Sequence, residues 1–216
     1  MCWSATADLA AGAGIAAIGI ACLVPVRRRR DLPLAALPLL LGVHQVIESA
    51  VWRSAGGSGP AVTAWAVIAL PLLAVWVPLG VLLAAPPTAR RRLWWPAAAG
   101  LAVAAVLSGC LAGRPVTAEV RGHTVGYALH LPLPYLLIVG YLFATVGSLV
   151  LAGDSLLRLC GAVMASGAVI CFLLWRLEFA STWCAFAAVS AVLMLRWVRR
   201  EPRGPGASGC EASEVR

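Results

Sequence analysis

The sequence predicts an all-α integral membrane protein with about seven transmembrane helices, and three observations support this prediction. First, 61% of the 216 residues are apolar and only 12% are charged, whereas about 25% of the residues in a soluble domain are charged. Second, the apolar residues form continuous runs, and about 20 apolar residues in a helix cross the roughly 30 Å hydrocarbon core of a bilayer. Third, the runs lack the alternation of apolar and polar residues that a membrane β-barrel strand requires.

Seven apolar runs give the expected spans and use nearly the whole chain. The expected transmembrane domain covers residues 1–200. Residues 201–216, which are rich in Gly, Pro, Ser and Glu, are expected to form a disordered cytoplasmic tail. The spans are expected at about 5–26, 33–53, 61–85, 93–113, 131–152, 157–175 and 179–198.

The first span is expected to remain in the protein as a helix. A cleavable signal peptide carries positive charge before its apolar core, whereas here Asp8 lies near the start and four arginines, residues 27–30, follow the core. The small residues from Gly12 through Gly19, with Ala13 and Ala17 among them, predict close packing against a neighbouring helix.

The later spans and connections carry further local signals. Pro71 and Pro78 predict a kink in the third span, because a proline removes a backbone hydrogen bond. The polar and β-branched residues of the loop before the fifth span predict a short hairpin around Gly122. Asp154 or Ser155 is expected to cap the sixth helix.

All 17 basic residues are arginines, and their positions predict the orientation of the chain. Cytoplasmic loops carry an excess of positive residues, and most of the arginines lie in alternate connections and near the C-terminus. The N-terminus is therefore expected outside and the C-terminus in the cytoplasm, in the plasma membrane of a bacterial cell. These arginines are at positions 27–30, 90–92, 158, 196, 199, 200 and 203.

The net charge of +8 does not indicate a nucleic-acid partner. Phosphate binding requires basic residues clustered on one folded face, whereas here they lie in the connections between spans. The expected partner is the lipid bilayer.

An ionisable pair lies inside the second apolar run. His44 and Glu48 are one helical turn apart and Trp52 follows at the same spacing, so all three share one helix face, with Gln45 beside the pair. Ionisable groups at membrane depth are costly to bury, and their default interpretation is functional. The pair predicts a polar His/Glu/Cys pocket in the outer half of the bundle.

Other polar residues are expected on the same, outer side. The predicted orientation places there two cysteines, two further histidines and a charged pair before the last span. A disulfide between the two cysteines is compatible with the oxidising space outside a bacterial membrane. The six residues are Cys2, His123, His130, Arg176, Glu178 and Cys184.

Three interpretations of these residues stay open. In the first, His44 and Glu48 form hydrogen bonds that only fix helix packing. In the second, they bind a transition metal ion or a small polar ligand, with Cys2, His130 and Cys184 as candidate partners. In the third, Glu48 is a general acid or base of an enzyme, with Cys2 or Cys184 as nucleophile. Transport of a proton or small solute is a further alternative.

Three short motifs resemble those of an uncharacterised family of bacterial, mainly actinobacterial, multi-pass membrane proteins. The opening Met-Cys-aromatic-Ser-Ala stands at residues 1–5, and His-Gln-x-x-Glu-x-x-x-Trp stands at residues 44–52. Ser-x-Trp-Cys stands at residues 181–184, although Ala185 follows where the family has an aromatic residue. The resemblance implies a multi-pass membrane architecture and identifies residues to test, but it implies no substrate.

Overall fold

The computed structural model of the chain describes residues 4–122, 124–174 and 185–200. Within these ranges the chain forms α-helices and one short antiparallel hairpin. The helices are α1 Ala5–Leu23, α2 Leu32–Ala35, α3 Leu37–Arg53, α4 Pro60–Val67, α5 Leu73–Ala84, α6 Pro87–Gly113, α7 Pro134–Leu142, α8 Ser148–Val150, α9 Ser155–Leu174 and α10 Ala185–Arg199, and the strands are β1 Thr117–Arg121 and β2 Thr124–Ala128.

Several of these helices follow one another with little or no break and make longer rods. A 3₁₀ turn at Arg29–Asp31 leads into α2 and α3. A π-helical turn at Ile68–Leu72 joins α4 to α5, and another at Phe143–Gly147 joins α7 to α8. Pro71 lies in the first π turn, where its missing N–H interrupts the regular hydrogen-bond ladder, whereas Pro78 lies within α5.

In the described ranges, five helices are long and apolar enough to cross a membrane, and they coincide with five of the predicted spans. The fifth predicted span, at 131–152, is instead a shorter apolar helix, Pro134–Val150. The chain before it is irregular, because two prolines, Pro132 and Pro134, disfavour helical backbone in the residues that precede them. The seventh predicted span lies partly outside the described residues, and the predicted tail lies wholly outside them. The five long helices are Ala5–Leu23, Arg29–Arg53, Pro60–Ala84, Pro87–Gly113 and Ser155–Phe172.

In the described part of the chain, α1 and α3 make the most extensive contact between two helices. A Cβ atom added at Gly12 would lie 2.9 Å from the carbonyl oxygen of Gly42, and one added at Gly19 would overlap the backbone of Leu39. The backbones approach closely because these positions carry no side chain, as small-residue interfaces do. Ala13 and Ala17 do not belong to this interface, since both are exposed.

The hairpin predicted around Gly122 is confirmed. Strands β1 and β2 pair from Thr117 with Ala128 to Arg121 with Thr124, and Gly122 in the turn has φ of +59°. A positive φ is readily adopted by glycine. Strand β1 also contacts the loop before α4, because Gly57 and Ala118 exchange two backbone hydrogen bonds of 2.7 and 2.8 Å.

The hairpin covers one end of the helix bundle, which we call the hairpin end. Its apolar residues pack with the C-terminus of α3 and with α4, so the end of the bundle is closed by a small core. That core consists of Val51, Val62, Trp65, Ala66, Val116, Ala118 and Val125.

The opposite end of the bundle, which we call the arginine-rich end, gathers the chain between α1 and α2 with the C-termini of α5 and α10. Asp154 also lies here and caps α9, as predicted, since its Oδ1 accepts hydrogen bonds from the backbone N–H groups of Leu156 (2.8 Å) and Leu157 (3.3 Å).

Candidate functional site

One face of α3 carries a set of buried polar side chains near the hairpin end. His44, Gln45 and Ser49 are each 2% exposed, and Glu48 is fully buried. An α-helix turns by about 100° per residue, so these residues and Trp52 occupy one continuous arc of roughly 140°. The two edges of that arc meet different neighbours.

The first edge of the arc meets α1. The Gln45 side-chain amide donates a 3.2 Å hydrogen bond to Oδ1 of Asp8, and the Asp8 carboxyl is fully buried. The Trp52 indole approaches the same carboxyl, but within the described parts of the chain neither the indole N–H nor Asp8 Oδ2 completes a hydrogen bond. The interface of α1 and α3 therefore holds a carboxyl and an amide that are bonded to each other.

The second edge of the arc meets α4 and the hairpin through aromatic contacts. The His44 and Trp65 rings have centroids 5.1 Å apart and are tilted by 37°, and Trp65 stacks on Tyr127 at 3.5 Å. Stacked and tilted aromatic pairs stabilise beyond the area that they bury. A ladder of three rings thus runs from the middle of α3 to strand β2.

The His44 imidazole also faces a cavity of about 220 Å³ between the helices. Its walls are almost wholly apolar and come from α3, α4, α5, α6, the rod from α7 to α8, α9 and α10. Among its lining residues are Leu41, Leu73, Val146, Met164 and Met194.

Few polar atoms line this cavity, and two of them already form hydrogen bonds. Tyr141 Oη donates to the carbonyl oxygen of Ala69 at 2.6 Å, and Thr145 Oγ1 donates to the carbonyl oxygen of Tyr141 at 2.8 Å. By contrast, His44 Nε2 and Ser190 Oγ are shielded from solvent and have no hydrogen-bond partner among the residues that the structure describes. A backbone group of Trp65 also interacts with the imidazole.

These two atoms determine what the cavity can do chemically. A buried polar atom without a hydrogen bond costs about 1–3 kcal/mol, so both atoms gain from a partner. Neutral imidazole offers one donor and one acceptor nitrogen, and a hydroxyl offers both functions. The cavity therefore suits a molecule that is mainly hydrocarbon and carries an oxygen group for His44.

The structure brings together only part of the predicted site. His44 and Glu48 are buried on the same face, as their spacing predicts, whereas His130 is exposed in the chain between β2 and α7. Cys2, His123, Arg176, Glu178 and Cys184 lie outside the described residues. In residues 4–122, 124–174 and 185–200, no three His, Cys, Asp or Glu side chains are grouped so that they could hold a metal ion.

Three residues of this region were not among the predicted site residues. Asp8 has a signal in the sequence, because an acid inside an apolar run is as costly as His44 or Glu48. Trp65 and Tyr127 have no such signal, since their contact depends on the hairpin folding back over α4.

Taken together, the fold is an all-helical bundle with several helices of membrane length, a hairpin over one end and a buried polar face on α3. The chain belongs to DUF6629, a family of unknown function whose match covers residues 1–208. No curated protein and no solved structure matches the chain.

Proposed function

We propose that this protein is an integral membrane protein that binds an amphipathic small molecule in the cavity beside His44. The hydrocarbon body of the molecule fills the cavity, and a hydroxyl or carbonyl oxygen forms a hydrogen bond with His44 Nε2. This proposal replaces the small polar ligand expected from the sequence with a largely apolar one, because the cavity walls are apolar.

The observation that carries the proposal is the environment of His44. Its side chain is 2% exposed, it faces an apolar cavity, and its Nε2 has no hydrogen-bond partner in the described structure. The ring is fixed in place by Trp65, whose own side chain is 1% exposed and stacked on Tyr127. A polar group held rigidly in an apolar pocket is the usual arrangement of a small-molecule site.

Ser190 provides a second, weaker contact in the proposal. Its hydroxyl lies on α10 in the cavity wall and has no partner in the described ranges. Serines in helices commonly donate to a carbonyl oxygen one turn earlier, and such a bond is missing for this residue in the described structure.

The orientation of the chain is part of the proposal. The arginines at positions 27–30, 90–92, 199 and 200 lie at or near the arginine-rich end, and the positive-inside rule favours a cytoplasmic location for that end. The hairpin end and the N-terminus then face outside. A reporter fused after Arg203 is expected to be cytoplasmic, and an extracytoplasmic signal would contradict this orientation.

Native mass spectrometry of the full chain in mild detergent tests the ligand. We expect wild-type protein to carry one organic molecule of defined mass, and His44→Leu to lose most of it because the apolar side chain cannot form the hydrogen bond. His130→Leu is the matched control, since His130 is exposed, and it is expected to retain the molecule.

Two outcomes of this experiment would contradict the proposal. One is wild-type protein without any bound mass. The other is a bound metal ion lost in both His44→Leu and Glu48→Gln, which would favour the metal interpretation of the same two residues. A thermal unfolding scan of each variant identifies any that fails to fold, and Ser190→Ala, with a smaller expected loss of occupancy, then provides an independent test.

A further inference from the structure

The arginine-rich end contains a second cavity, separate from the one beside His44. It is a cleft of about 430 Å³ between the chain that follows α1, the C-terminus of α5 and the C-terminus of α10. Four arginines and two aspartates line it, so the lining has a net charge of +2. The charged residues are Arg27, Arg28, Arg199, Arg200, Asp31 and Asp154.

The charges in this cleft are not all available to a ligand. Arg200 Nη1 forms an ion pair with Asp154 Oδ2 at 3.3 Å, and Asp154 also caps α9. Asp31 offsets part of the remaining charge. Arg27, Arg28 and Arg199 therefore provide the excess of positive charge, and all three are exposed at the cleft.

The other walls of the cleft favour a lipid over a free anion. Pro25, Val26 and Val198 are apolar, and Trp197 lies among them. Tryptophan is enriched where a membrane meets water, and basic pockets between helices on the cytoplasmic side bind anionic head groups. Arginine matches the geometry of phosphate oxygens better than a point charge does.

We infer that this cleft binds the phosphate group of an anionic phospholipid, with Arg27, Arg28 and Arg199 as its positive contacts. The apolar wall residues then contact the glycerol and the first part of the acyl chains. This inference requires that the helices lie in a membrane, but it does not depend on the ligand beside His44.

The four consecutive arginines offer a matched pair of variants. Arg27 and Arg28 line the cleft, whereas Arg29 and Arg30 do not. The double variants R27A/R28A and R29A/R30A remove the same charge from the same connection, so any effect on membrane orientation is shared. Only the first is expected to weaken lipid binding at the cleft.

The experiment is a titration of the full chain in detergent with phosphatidylglycerol, phosphatidylcholine or inorganic phosphate, followed by native mass spectrometry. We expect wild-type protein to prefer phosphatidylglycerol, and R27A/R28A to lower that affinity by about tenfold or more, since each basic residue near a membrane surface contributes about fivefold. R29A/R30A is expected to lower the affinity much less, because Arg29 and Arg30 do not line the cleft.

A second matched pair keeps the test decisive if R27A/R28A does not fold. Arg199→Gln removes a lining residue and is expected to weaken binding, whereas Arg196→Gln, one turn earlier on α10 and outside the lining, is not. An equal loss in both members of either pair would overturn the inference, as would equal binding of the two lipids. Binding of inorganic phosphate without any preference for phosphatidylglycerol would show a free-anion site and would also overturn it.

Discussion

The two ends of this bundle treat their polar groups in opposite ways. Near the hairpin end, the Asp8 carboxyl is fully buried between α1 and α3 and accepts a hydrogen bond from Gln45. At the arginine-rich end, the Asp154 carboxyl pairs with Arg200, and both side chains remain more than a third exposed. One carboxyl is thus bonded to a neutral amide in the interior, and the other to a full positive charge in an open cleft.

The comparison of the two carboxyl groups indicates which of their contacts contributes more to the stability of the fold. An exposed ion pair is screened by water and contributes at most about 1 kcal/mol, whereas a buried carboxyl that loses its donor costs about 1–3 kcal/mol. The weaker-looking neutral bond is therefore expected to matter more for stability. The exposed pair of Asp154 and Arg200 is expected to contribute little to stability.

Removing the Trp65 ring at the hairpin end is expected to have the largest effect on stability. Trp65→Ala takes away a side chain that is 1% exposed and contacts both His44 and Tyr127. A buried Trp→Ala change costs about 3–5 kcal/mol. Trp95→Ala is the control, because Trp95 is 74% exposed, and it is expected to change stability by about 0.5 kcal/mol or less. Chemical denaturation in detergent measures both, and equal losses would contradict a rigid aromatic core at this end.

Overfilling the α1–α3 interface is expected to have the next largest effect. Gly12→Leu places a side chain against Gly42 and Val46, where even a Cβ atom would lie 2.9 Å from its neighbours, and overpacking costs about 1–3 kcal/mol. Gly14→Leu, two residues further on, meets nothing within 4 Å and is expected to be neutral or slightly stabilising because leucine favours the helix. Thermal unfolding of the two variants distinguishes them, and equal destabilisation would exclude this interface as the cause.

The buried hydrogen bond gives an effect of similar size that is specific to one pair of side chains. Gln45→Ala leaves Asp8 without its amide donor and is expected to cost about 1–3 kcal/mol. A double-mutant cycle with Asp8→Ala isolates the pair, and we expect the two changes to be clearly less than additive. Additive losses would mean that the 3.2 Å bond between the two side chains contributes nothing to stability.

The exposed ion pair gives the smallest effect. Arg200→Ala is expected to cost at most about 1 kcal/mol, and less at high salt, because the pair is screened. Asp154→Ala is expected to cost about 0.5–2 kcal/mol, since it also removes the cap of α9. A loss on Arg200→Ala that equals the loss on Gln45→Ala, at any salt concentration, would remove the distinction between the two ends.

Much of the fold follows from local sequence. The long helices are predictable because each apolar run has a length that fits a bilayer, and the Asp154 cap and the hairpin at Gly122 follow from residues close in sequence. The fifth span shows the limit of this reasoning. Its apolar run extends back to residue 131, but Pro132 and Pro134 disfavour helical backbone in the residues before them, so the helix begins only at Pro134.

The site is less predictable, because it depends on which helices are neighbours. The spacing of His44 and Glu48 places them on one face of α3, yet only the packing of α1 and α4 beside that face gives Gln45 and His44 their contacts with Asp8 and Trp65. A polar residue in an apolar helix indicates that burying it costs free energy. The sequence around such a polar group does not identify its hydrogen-bond partner, and an apolar cavity has no sequence motif.

The proposed contact at His44 can be observed directly by nitrogen-15 NMR of histidine-labelled protein. The chain has three histidines, and a His44→Leu variant assigns the signal of interest. We predict that the His44 ring nitrogens shift when the bound amphiphile is removed by detergent exchange and return when it is added back, while the His130 signals do not move. Unchanged His44 signals through this cycle would contradict the account, and signals that respond to a chelator instead would point to a metal.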